Sequence, residues 1–124
     1  MTSDVVCLEL PAENEVMPVV RMVVGGMATR VDLSLDELDD LYLAVETVLR
    51  VVQKAQGCGR YSLQLDNPEE SIRIKVGPYR RDELDRLLED SCVVLMKRVV
   101  AIDVAGDDGQ AYVLITKRGS AHSS

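Results

Sequence analysis

Ser34-Leu35-Asp36-Glu37-Leu38-Asp39-Asp40-Leu41-Tyr42-Leu43-Ala44-Val45-Glu46 opens the element on which the fold reading turns. Ser34 followed three residues later by Glu37 is a capping box. The hydroxyl accepts from the Glu37 amide and the carboxylate accepts from the Ser34 amide, so two orphan donors are satisfied together. A long helix to about Gln56 is therefore expected. Leu38, Leu41, Val45, Val48 and Val52 fall on one stripe, widened by Tyr42 and Leu49. Glu37, Asp39, Asp40 and Glu46 crowd its first half while Arg50 and Lys54 occupy the second, the order that the helix dipole favours. Gly57-Cys58-Gly59 supplies the stop.

Upstream of this helix, the β-branched start of Val5-Val6-Cys7-Leu8-Glu9-Leu10 predicts a strand that Pro11 ends. From Glu15 to about Arg30, Val16, Val19, Val20, Val23 and Met27 recur at helical spacing, with Pro18 in the first turn, where it is tolerated. Gly25 and Gly26 inside that helix each cost about 1 kcal/mol against Ala. Close packing on a sheet or another helix accounts for them, and no Lys-Ser/Thr follows to make a phosphate loop.

Downstream, Arg60 to Asp66 and Ser71 to Val76 alternate and flank Asn67-Pro68-Glu69-Glu70, which predicts an antiparallel hairpin closed by Gly77-Pro78. The charged run 80–91 reads as a short helix or an ordered loop, and a helix from Ser91 to about Val99 follows. Val100 to Val104 and Gln110 to Thr116 form a second hairpin across Ala105-Gly106-Asp107-Asp108-Gly109. The order predicts an α+β two-layer sandwich: a mostly antiparallel mixed sheet with helices on one face. Residues 1–118 make one domain and 119–124 a polar tail.

Composition narrows the function classes. At 124 residues, 47% of them hydrophobic, the chain has the size and apolar content of one folded domain. A net charge of −7 opposes the phosphate neutralisation on which nucleic-acid binding depends, and the absence of Phe and Trp removes a stacking platform. The uncharged stretch Met22 to Thr29 is far short of the ~20 residues of a membrane span. Met-Thr-Ser-Asp lacks a basic region before an apolar one, so a cytoplasmic location is expected. Cys7, Cys58 and Cys92 are scattered and the only histidine, His122, lies in the tail. No zinc set forms, and the thiols read as reduced and buried or half buried.

Four candidates for chemistry remain. Glu46 beside the buried stripe is either a general base or a carboxylate paired with Arg50 at i+4, the commoner arrangement. Asp107-Asp108-Gly109 lacks the oxygen-ligand repeat of a calcium loop and reads as a turn. Cys58, between glycines, has only Lys54 and Arg60 nearby to activate it. Tyr79-Arg80-Arg81 with Arg86 could grip a phosphate or an acidic partner, or simply face solvent.

Leu8-Glu9-Leu10-Pro11-Ala12, Val19-Val20-Arg21 and Asp36 to Glu46 resemble the opening strand, first helix and N-box helix of the kinase-type anti-sigma factors. These belong to the GHKL (Bergerat-fold, histidine kinase-like) ATPase superfamily. Leu95-Met96-Lys97-Arg98-Val99-Val100 and Gly109-Gln110-Ala111-Tyr112-Val113-Leu114-Ile115-Thr116-Lys117 are similar to its last helix and closing strand. The resemblance implies that Glu46 matches the family's basic glutamate. Arg50 then stands where the family's magnesium-holding asparagine belongs, and a guanidinium has no lone pair for a cation. Pro78 stands roughly where the adenine-reading aspartate belongs. The segment Asp82 to Leu95 has no glycine, where the family has a glycine-rich lid.

Three departures together imply a degenerate member without a cofactor. It would be a regulatory protein that binds a sigma factor or an anti-anti-sigma partner, pairing as a homodimer or heteromer and independent of ATP. Glu37, Asp39, Asp40, Arg80 and Arg81 are the expected partner contacts. The alternative is an active serine/threonine kinase using ATP and magnesium with Glu46 as base. A third class is a small-ligand sensor whose vacated pocket is lined by apolar side chains near Val48 and Val93.

Overall fold

The capping box forms as read: the Ser34 amide donates to Glu37 Oε1 at 2.8 Å, and the Glu37 amide donates to Ser34 Oγ at 3.1 Å. The computed structural model describes residues 4–56, 59–106 and 109–119. The helix stop at Gly57-Cys58, the Asp107-Asp108 turn and His122 lie outside the described residues.

Strand β1 (Val6–Pro11) leads through a single 3-10 turn (Asn14–Val16) into helix α1 (Met17–Ala28), then helix α2 (Leu35–Gln56). Strand β2 (Arg60–Asp66) and β3 (Ser71–Arg80) precede the short helices α3 (Arg81–Leu87) and α4 (Ser91–Met96), and β4 (Ala101–Gly106) and β5 (Gln110–Arg118) close the chain. The sheet order is β1-β2-β3-β5-β4. Every pairing is antiparallel, so the mixed sheet expected from the sequence is corrected: hairpins join β2 to β3 and β4 to β5, and no neighbouring strands run parallel.

Alternation sets the layers. Tyr61, Leu63, Leu65, Ile72, Ile74, Val76, Val113 and Ile115 are buried on one sheet face, and Leu41, Val45, Val48, Leu49 and Val52 of α2 are buried against the same core. The opposite face carries Gln64, Asp66, Arg73 and Lys75. There Arg73 grips Asp66 with two bonds of 3.1 and 2.8 Å, and this pairing raises the guanidinium above its ordinary range.

Three expectations are corrected. Gly77-Pro78 does not end β3. The register shifts between Val76 and Tyr79, forming a bulge with Gly77 at φ 141°, and the strand resumes to Arg80. The inward face of α1 is Val20, Val24, Met27 and Ala28, while Val19 is exposed, because a helix apolar nearly all round leaves its periodicity ambiguous. Cys7 and Cys92 are exposed thiols; Cys7 points from the wet side of the sheet edge and Cys92 from the first turn of α4. Cys58 lies outside the described residues.

The β2–β3 connection is tied to α1. Asn67 Nδ2 donates to Met27 O at 3.1 Å and to Ser71 O at 3.2 Å. Glu69 and Glu70 take φ of 48° and 59°, the left-handed region that non-glycine residues seldom occupy.

Candidate functional site

Glu46, in the middle of α2, is only 7% exposed. A carboxylate so placed needs compensation. It finds two partners: Arg21 Nε of α1 lies 2.5 Å from Oε2, and Arg50 Nη2, one turn along α2, lies 3.6 Å from Oε1. Arg21 is also stacked over the Tyr42 ring, 5.1 Å from its centroid. The hydrogen bond to Glu46, then its charge, holds the Arg21 guanidinium above its ordinary range. Arg21 therefore remains a cation at every working pH.

The chemistry follows from this arrangement. A general base must reach a substrate proton with a free lone pair. Here each Glu46 oxygen is turned to a guanidinium, one on each side. Of the two readings open from the sequence, pairing with Arg50 is present, and Arg21 adds a second, shorter bond that ties α1 to α2.

Sequence reasoning missed Arg21 as a site residue. A signal was available: it is the only charge between Glu15 and Arg30, and an arginine set into an apolar helix calls for a partner. Gly25 completes the junction. A Cβ there would lie 2.5 Å from the Tyr42 hydroxyl, so this glycine lets α1 approach α2.

Next to this cluster, a groove of about 640 Å³ crosses the second half of α2. Thr47, Arg50, Val51, Gln53 and Lys54 form its floor, with Asn14 on one bank and Leu87, Asp90 and Cys92 on the other. Asp90 is occupied in part, since its Oδ1 accepts from the Cys92 amide at 2.8 Å and caps α4. Val48 and Val93 do not line the groove. Both are 1% exposed core residues; their neighbours Thr47, Val51 and Cys92 line the groove instead, together with Arg50, Lys54 and Asp90, a mixed apolar and charged surface.

The remaining candidates do not converge on the groove. Pro78 is exposed on the β3 bulge and is not among its lining residues. Arg80 pairs with Asp82 at 3.1 Å and Glu83 at 3.9 Å, and Arg81 with Asp85 at 3.7 Å, so both serve the first turns of α3. Tyr79 is buried. The glycine-free segment forms α3, a turn and most of α4, and Leu84, fully buried, seats α3 against the core. Asp39 and Asp40 stand on the outer side of α2, Asp39 close enough to Arg21 to act on it electrostatically. Among the described residues no group of three or more His, Cys, Asp or Glu is placed to hold a metal ion. None of the helices described is long and apolar enough to cross a membrane.

No protein-family model matches the chain, and a search of curated proteins finds no match.

Proposed function

We propose that the protein is a regulatory binding module, a relative of the kinase-type anti-sigma factors that has lost the nucleotide. It acts by binding a sigma factor or an anti-anti-sigma partner. The observation that carries this reading is the state of Glu46. The position that would supply the base is neutralised from both sides, by Arg21 and by the Arg50 that replaces the family's asparagine. The helical, glycine-free α3–α4 segment supports the same reading, because backbone amides of a glycine-rich lid are what wrap a triphosphate. The groove beside Arg50 is then a remnant of the site.

The test is capture of the partner from lysate of the protein's own cells, with and without added ATP. The reading expects one transcription regulator to be retained equally in both conditions. Transfer of labelled phosphate from ATP to that partner, lost in Glu46→Ala, would make the protein an active serine/threonine kinase and overturn the reading.

A further inference from the structure

Among the described residues, nothing covers the outer surface of the α1–α2 pair fully, and apolar side chains stand exposed there. α1 is uncharged from Val16 to Thr29 apart from Arg21, and a helix that is apolar all round is normally covered all round. Yet Met22 is 73% exposed and Val19 39%. On α2, Leu35 is 80% and Leu43 48% exposed. Arg21 joins α1 to α2 through Glu46 and Tyr42; Met22 follows Arg21 in α1 and Leu43 follows Tyr42 in α2.

Gly26 is an independent sign. A Cβ there would meet nothing within 4 Å among the described residues, so no contact they make calls for glycine at a position where it costs about 1 kcal/mol against Ala. Gly25, its neighbour, is explained by Tyr42. An outward glycine on an apolar helix admits the close approach of another backbone.

Charge says what kind of backbone. Asp36, Asp39 and Asp40 precede Leu43 by seven, four and three residues, which places them around it on the helix surface. The cations nearby are engaged: Arg21 of α1 and Arg50 of α2 by Glu46, and Arg30, four residues after Gly26, by Asp4 at 3.4 Å. A second copy of this chain, itself at −7, would bring like charge to that ring. A helix with lysines or arginines flanking an apolar stripe matches both the ring and the leucine and methionine it surrounds.

We propose that the outer face of α1 and α2, centred on Met22, Gly26 and Leu43 and rimmed by Asp36, Asp39 and Asp40, docks a basic amphipathic helix of a partner protein. Apolar anchors at i, i+3, i+4 and i+7 lie on the helix pair, and the flanking basic side chains meet the carboxylates. This rests on the binding-module reading above and names the chemistry of the partner.

The test titrates the full chain with a labelled leucine–lysine amphipathic helix of about five turns, followed by fluorescence anisotropy. A leucine–glutamate helix of the same pattern is the control. The lysine helix is expected to bind and the glutamate helix not. Asp36→Asn/Asp39→Asn/Asp40→Asn and, separately, Met22→Ser/Leu43→Ser should each weaken binding about tenfold or more. The charge-matched Asp82→Asn/Asp85→Asn/Glu89→Gln on the α3 side should leave it unchanged. Equal weakening by the α3 variant, or indifference to Met22→Ser/Leu43→Ser, would reduce the binding to bulk charge and overturn the site. A dimer broken by Met22→Ser/Leu43→Ser in sedimentation would assign the face to a second copy and also overturn it. Capture of a protein partner that ignores both sets of variants would refute this surface while leaving the binding-module reading intact.

Discussion

Two stretches of α2 put similar side chains to opposite uses. In the middle of the helix, Glu46 is buried and both of its oxygens face arginines from two helices. In the first turns, Asp36 and Asp39 are exposed, and no ion pair engages them or Asp40 among the described residues. Burial decides the difference. A buried carboxylate must be satisfied by the fold, and once satisfied it has little left to offer a substrate. An exposed one contributes little to stability and keeps its charge for a partner. On the proposed reading, the position with the look of catalysis is structural, and the surface with the look of plain solvation is where recognition occurs.

Substitutions can break this contrast. The largest effect belongs to the inward face of the same helix. Leu49→Ala removes a fully buried side chain and should cost about 2–5 kcal/mol in urea denaturation, a loss the outer ridge cannot match. Ser34→Ala deletes one half of the capping box and should cost about 1 kcal/mol, measured the same way. The two glycines of α1 should then separate. Alanine at 26 gains helix propensity in open space, whereas alanine at 25 must displace the Tyr42 hydroxyl, so Gly26→Ala should be the more stable by about 1–2 kcal/mol. Smallest of all, each of Asp36→Asn, Asp39→Asn and Asp40→Asn should change stability by no more than about 0.5 kcal/mol. Losses of 2 kcal/mol or more from any of these aspartates would make them structural and erase the contrast.

Legibility in the sequence follows the same physics. The capping box and the α2 stripe could be read because both are local and periodic, and the two hairpins because one sheet face is wet and the other buried. β3 was cut short in the sequence reading because Gly77-Pro78 looks like a stop, and only the sheet shows the strand resuming after a bulge. The inward face of α1 was misread because nearly every residue on it is apolar, so tertiary packing alone selects Val24 over Val19. Half of the Glu46 cluster was visible, since Arg50 lies four residues along the same helix. Arg21, 25 residues away in sequence, could be placed only by the packing of α1 on α2. The groove could be placed only roughly, near Val48 and Val93, because its banks come from segments far apart in the chain; those two valines are core, and Thr47, Val51 and Cys92 beside them form the lining.

The central claim is that the Glu46 position no longer supports nucleotide chemistry. Calorimetric titration of the purified chain with ATP and ADP in the presence of magnesium tests it most directly. The account predicts no saturable binding below about 1 mM, the regime in which interaction is worth no more than about 4 kcal/mol. Binding of either nucleotide at low-micromolar affinity, lost in Glu46→Ala, would contradict it.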